Sequence, residues 1–121
     1  PYFEYYRDDF APFYEQKRYT FLVDYNEALM QLVCGLMDLT PQLSRTTTYL
    51  AEPPADVADF RELIHPKRMA SEADPAFRPA PYYQVFLERL GFLPNLSIAD
   101  LLFNMGPESL LVLKQSVVTA P

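Results

Sequence analysis

The sequence predicts an all-α fold, an irregular multi-helix domain with a central buried helix and a long Pro-rich excursion. The stretch from Ala28 to Leu39 is almost wholly apolar, too long for an ordinary strand. Phe3, Tyr6, Phe10 and Phe13 recur at the three-and-four spacing of a helix face. Capping sequences stand ahead of the apolar stretches at Asp24 and Ser97. The chain has 121 residues, of which 50% are hydrophobic and 15% aromatic, enough to bury the core of one domain. A single helical domain over 1–121 is expected, with an irregular segment at about 51–81.

The elements follow in order. Residues 2–16 form an aromatic helix, with Pro12 predicting a kink or a break into two short helices because proline cannot donate to the preceding turn. Asp24-Tyr25-Asn26-Glu27 has the spacing of a capping box. Beyond it, the polar or small positions Glu27, Gln31, Gly35 and Asp38 fall on one narrow stripe when wound at about 100° per residue. A helix with so thin a wet face is expected to be the most buried element, ending at Thr40-Pro41. Cys34 lies in it as a small buried hydrophobe. Residues 44–50, rich in β-branched types, read as a short extended segment with no evident partner.

From Ala51 to Pro81 the chain carries six of its 12 prolines and reads as irregular, with a denser island from Asp59 to Arg68. Pro81 then opens a helix over Tyr82, Phe86 and Leu90 that Gly91 closes. Ser97-Ile98-Ala99-Asp100 repeats the capping-box spacing, with Leu96 and Leu101 placed as a hydrophobic staple. That helix should stop near Gly106, and Pro107 should start another carrying Leu110, Leu113 and Val117.

Composition excludes several functions. The net charge of −6 disfavours a nucleic-acid partner, which needs a concentrated positive face. Nothing approaches the ~18 consecutive apolar residues of a membrane span. The start has neither the basic segment nor the apolar stretch of a signal peptide, and it lacks an initiator methionine, as expected for a processed chain or a piece of a longer one. One cysteine excludes an internal disulfide framework and a cysteine-based zinc cluster, and a reducing compartment is the easier reading. With three glycines there is no phosphate-cradling glycine loop, and no GxSxG elbow occurs. No cofactor and no metal are therefore expected.

Two sets of residues are candidates for binding. Arg61, His65, Lys67 and Arg68 could make a small patch for a phosphate or diphosphate. Asn95 and Asn104 are polar positions amid apolar ones in the C-terminal part, suited either to ligand contact or to satisfying backbone groups at turns. Asp8 and Asp9 cannot both face one substrate, since adjacent helix positions point about 100° apart, so they and Arg7 read as a solvated face.

Several strings are more specific than this physics requires. Pro1-Tyr2-Phe3-Glu4-Tyr5-Tyr6 and Leu22-Val23-Asp24-Tyr25-Asn26-Glu27-Ala28-Leu29 resemble the WbqC-like protein family, in which an aromatic "PYF" element precedes a "dxN" helix start, matched here by Asp24 and Asn26. Pro81-Tyr82-Tyr83-Gln84-Val85-Phe86, Gly91 to Ile98, Asp100 to Asn104 and Gly106-Pro107-Glu108 look like the C-terminal extension of its bacterial members. The family takes its name from O-antigen gene clusters, so the resemblance implies cytoplasmic work on activated sugars for surface polysaccharides, such as amino-acyl or acyl transfer to a nucleotide sugar. It supplies no catalytic residue that can be carried over. It also implies a strand-rich N-terminal half ahead of "PYF", which would make this chain the C-terminal half of a longer protein. The competing expectation is a non-catalytic interaction module. Its aromatic start, seven aromatics in fourteen residues, would then meet a second copy as a homodimer or cover the missing half.

Overall fold

A computed structural model describes residues 1–62, 64 and 75–118 of the chain. It is all-α: α1 spans Phe3–Glu15, α2 Leu22–Leu36, α3 Leu87–Leu90, α4 Ile98–Met105 and α5 Ser109–Gln115, with a 3₁₀ turn at Gly106–Glu108. Among the described residues no helix is long and apolar enough to cross a membrane.

The aromatic periodicity of α1 does what its spacing predicts. Tyr6 and Phe10 are buried, and Phe103 of α4 receives the rings of Phe3 and Phe10 edge-on at centroid distances of 5.3 and 5.4 Å. The helix runs unbroken through Pro12. Pro12 stands in its last turn, so only one ladder bond is forfeited, to the carbonyl of Asp8, whose side chain is turned to water. At the other end, the Tyr2 N–H donates to the Phe103 carbonyl at 2.8 Å, pinning the start of α1 to α4.

The central buried helix is α4, not α2. Leu102 is 0% exposed, and with Tyr6, Phe10 and Met37 it forms the centre of the core. Helix α2 has no fully buried residue: Leu29, Leu32, Val33 and Leu36 pack half-buried on that core, while Leu22, Val23 and Met30 are 71%, 56% and 45% exposed. Apolar periodicity shows which side chains avoid water, not how much protein is present to cover them. Cys34 is accordingly half-buried rather than buried.

Capping also departs from expectation. Helix α2 begins three residues early, with Phe21 rather than Asp24 as its cap and no side-chain cap bond. Asp24 and Glu27 turn outward instead and hold Arg45, which donates to each at 2.9 Å. That charge contact docks the 44–50 segment on the start of α2, where the extended reading asked for a strand partner. The segment belongs to no strand. At α4, Ser97 Oγ accepts from the Ala99 N–H at 3.1 Å, a true cap, while Asp100 reaches across to Tyr82 instead of back to Ser97.

The helix expected from Tyr82 begins only at Leu87. Gln84 explains the delay: it is buried, its Nε2 donates to the Leu93 carbonyl and its Oε1 accepts from the Leu93 N–H, both at 2.9 Å. This side chain pairs with the backbone like a strand partner and ties the residues on either side of α3 together. The face expected over Tyr82, Phe86 and Leu90 is lost with those turns, and Phe86 and Leu90 are exposed. Gly91 ends α3 at φ +69°, as predicted for a closing glycine.

Gly106 and Pro107 end α4 and start the next turn as expected, and α5 follows. Its buried positions are Ser109 and Val112, with Leu110 and Leu113 half-buried and Val117 exposed. Ser116 anchors the returning excursion: its Oγ accepts from the Ala80 N–H at 3.0 Å, and the Arg78 N–H donates to its carbonyl at 2.8 Å. The bridge between Phe77 and Val117 lies beside it.

Candidate functional site

The proposed anion patch is described only at Arg61, because His65, Lys67 and Arg68 lie outside the described residues. Arg61 is committed locally. Its guanidinium grips both carboxylate oxygens of Asp59 at 2.8 Å, donates to the Leu50 carbonyl at 2.7 Å and lies 5.8 Å from the centre of the Tyr49 ring. The contact holds the Asp59 carboxyl down to about 2, through hydrogen bonds from the Arg61 side chain and then its backbone. Asp59 supplies the charge that an incoming phosphate would bring, so Arg61 staples the excursion to residues 49–51.

The two asparagines part company. Asn95 sits at φ +59°, a left-handed conformation that asparagine tolerates. It lines a cavity of about 190 Å³ between the 77–82 segment and helices α4 and α5, with Phe77, Tyr82, Leu96 and Ser97. At the edge of that cavity the Tyr82 hydroxyl donates to Asp100 at 2.7 Å. Burial, then this bond, pushes the Tyr82 hydroxyl above its ordinary value. Asn104 lies inside, 6% exposed. Its Nδ2 donates to the Asp100 carbonyl at 2.8 Å, while its buried Oδ1 has no hydrogen-bond partner. Asn104 therefore belongs to the packing of α4, and the structure does not bring it to the cavity of Asn95.

A second, larger cavity of about 390 Å³ was not foreseen. It opens between the first turns of α1, the end of α2 and the 3₁₀ turn, and is lined by Tyr5, Tyr6, Gly35, Asp38 and Ser109 among others. The Tyr5 and Tyr6 rings meet edge-to-face at 4.8 Å. Asp38, which helical winding places on the polar stripe of α2, stands beyond the helix end at φ +57°. The sequence signal was there in Leu36-Met37-Asp38-Leu39, where an aspartate occupies the place at which helices usually carry glycine.

Helix α2 presents the third feature. Wound at about 100° per residue, Val23 and Met30 fall within about 20° of each other, with Asn26 and Cys34 beside them. Phe21 and Leu22 extend this exposed stripe at its N-terminal end. The stripe carries no lysine or arginine.

No known family model, curated protein or solved structure matches this chain.

Proposed function

We propose that this chain is a non-catalytic helical interaction module of a WbqC-like protein, serving surface-polysaccharide biosynthesis in the bacterial cytoplasm, and that it pairs with a second copy through α2. One observation carries the interaction reading. Among the described residues, Leu22, Val23 and Met30 of α2 are 71%, 56% and 45% exposed on one helix, apolar surface that the rest of the chain leaves uncovered. The exposed residues Leu22, Val23 and Met30 can face their own copies about a two-fold axis, since the acids beside them, Asp24 and Glu27, are already paired with Arg45, which favours a second copy as the occupant. The pathway assignment rests on the family-like strings alone.

Sedimentation velocity across a concentration series tests the pairing. The chain should form a reversible dimer, and Val23→Glu/Met30→Glu should be monomeric. At concentrations where the unsubstituted chain is also monomeric, the two thermal midpoints should agree, since exposed substitutions usually stay within about 0.5 kcal/mol. A monomer at all concentrations, or a dimer that ignores the substitutions, would overturn the pairing.

The Asn95 cavity favours a second reading, in which the module holds the sugar of a nucleotide-sugar substrate for amino-acyl or acyl transfer. Aromatic walls from Phe77 and Tyr82 with polar groups at Asn95 and Ser97 suit a sugar ring. Calorimetric titration with a uridine diphosphate sugar should then give saturable heat that Asn95→Ala weakens. Absence of heat at millimolar ligand would remove this reading.

A further inference from the structure

Asp38 is placed against two local rules at once. The Leu39 N–H donates to the Cys34 carbonyl at 2.8 Å and the Asp38 N–H to the Gly35 carbonyl at 3.2 Å, the paired bonds of a glycine-type helix cap. Asp38 fills the glycine position of that cap at φ +57°, where a side chain is strained. Its carboxylate also lies at the negative end of α2, where the aligned backbone dipoles favour a cation. No described basic residue pairs with it: the described ion pairs join Arg7 to Asp8, Arg45 to Asp24 and Glu27, and Arg61 to Asp59.

The same carboxylate lines the 390 Å³ cavity, within the size range of small-ligand sites. Two tyrosine rings share the wall, and no lysine or arginine does. A carboxylate, the carbonyl end of a helix and aromatic faces all attract positive charge, and the rings favour a diffuse cation over a compact metal ion. Tyr6 is fixed in the core and Tyr2 packs on Gly106, so this end of α1 is held firmly while Tyr5 remains exposed.

From this arrangement we infer that the cavity between α1, α2 and the 3₁₀ turn binds a small organic ammonium ion. Asp38 supplies the counter-charge and Tyr5 the exposed aromatic ring, held beside the buried Tyr6. The bound cation offsets the misplaced carboxylate, which gives the aspartate a reason to occupy a glycine position.

Titration of the chain with choline, and separately with its neutral isostere 3,3-dimethylbutan-1-ol, followed by the amide resonances of Gly35, Asp38 and Ser109, tests this. Choline should shift all three saturably. The alcohol, and choline on Asp38→Asn, should bind at least about tenfold more weakly, the loss expected when one charge contact is removed. Asp38→Gly separates function from fold: it should raise the melting temperature, by relieving the cap, while abolishing choline binding. Equal affinity for choline and the alcohol would make the cavity merely apolar. That result would overturn the inference, as would unsaturable shifts or a lower melting temperature in Asp38→Gly.

Discussion

Replacing Gly106 with alanine should destabilise the domain more than any other single-methyl addition. Gly106 sits at φ +56° with ψ −127°, backbone that an L side chain rarely adopts. A Cβ built there would also lie 2.7 Å from two atoms of the Tyr2 ring. The Tyr2 backbone is held, its N–H bonded to Phe103 and its chain opening α1, so relief requires the ring to leave the turn for another rotamer. Strain of about 1–3 kcal/mol and overpacking of about 1–3 kcal/mol together predict a loss of about 2–6 kcal/mol in urea unfolding. A loss below about 1 kcal/mol would mean that Tyr2 does not pack on the turn. Gly35 is the internal control: nothing lies within 4 Å of its Cβ position, so alanine there should be neutral or mildly stabilising.

The second large effect is at Leu102. It is fully buried at the centre of the core, so Leu102→Ala should cost about 2–5 kcal/mol. Leu32→Ala gives the contrast. Leu32 is half-buried on α2 and should lose roughly 1–2 kcal/mol, in proportion to the apolar area it hides. The order of these two values reports which helix is central. A larger loss at Leu32 would restore α2 to the middle of the domain.

That contrast shows what the sequence made legible. Three-and-four aromatic spacing located α1, an apolar stretch with a narrow polar stripe located α2, the Ser97 capping sequence located α4, and Gly106-Pro107 marked the α4 to α5 junction, because these are local consequences of side-chain geometry. Burial rank was not legible: the apolar stretch of α2 is long, yet its burial depends on what covers it. Long-range polar contacts were equally hidden. Gln84 bonding Leu93, Arg45 bonding Asp24 and Glu27, and Arg61 bonding Asp59 and Leu50 each redirected a segment from the structure its own residues favoured. Asn95 stands out in the sequence as a polar position amid apolar ones, and it lines a cavity. Asp38 was missed because its position beyond the end of α2 looks, in sequence, like one more turn of a helix stripe.

The central claim is that the exposed face of α2 pairs with its own copy, and the native Cys34, on that face and half-exposed, allows a direct measurement. A spin label on Cys34, read by pulsed dipolar spectroscopy, should give a defined distance between two copies. It should fall below about 30 Å, because packed helices lie about 8–10 Å apart and Cys34 is one turn from Met30. The Val23→Glu/Met30→Glu chain carrying the same label should give only the uniform background of separate molecules. Background alone from the unsubstituted chain at high concentration would contradict the account.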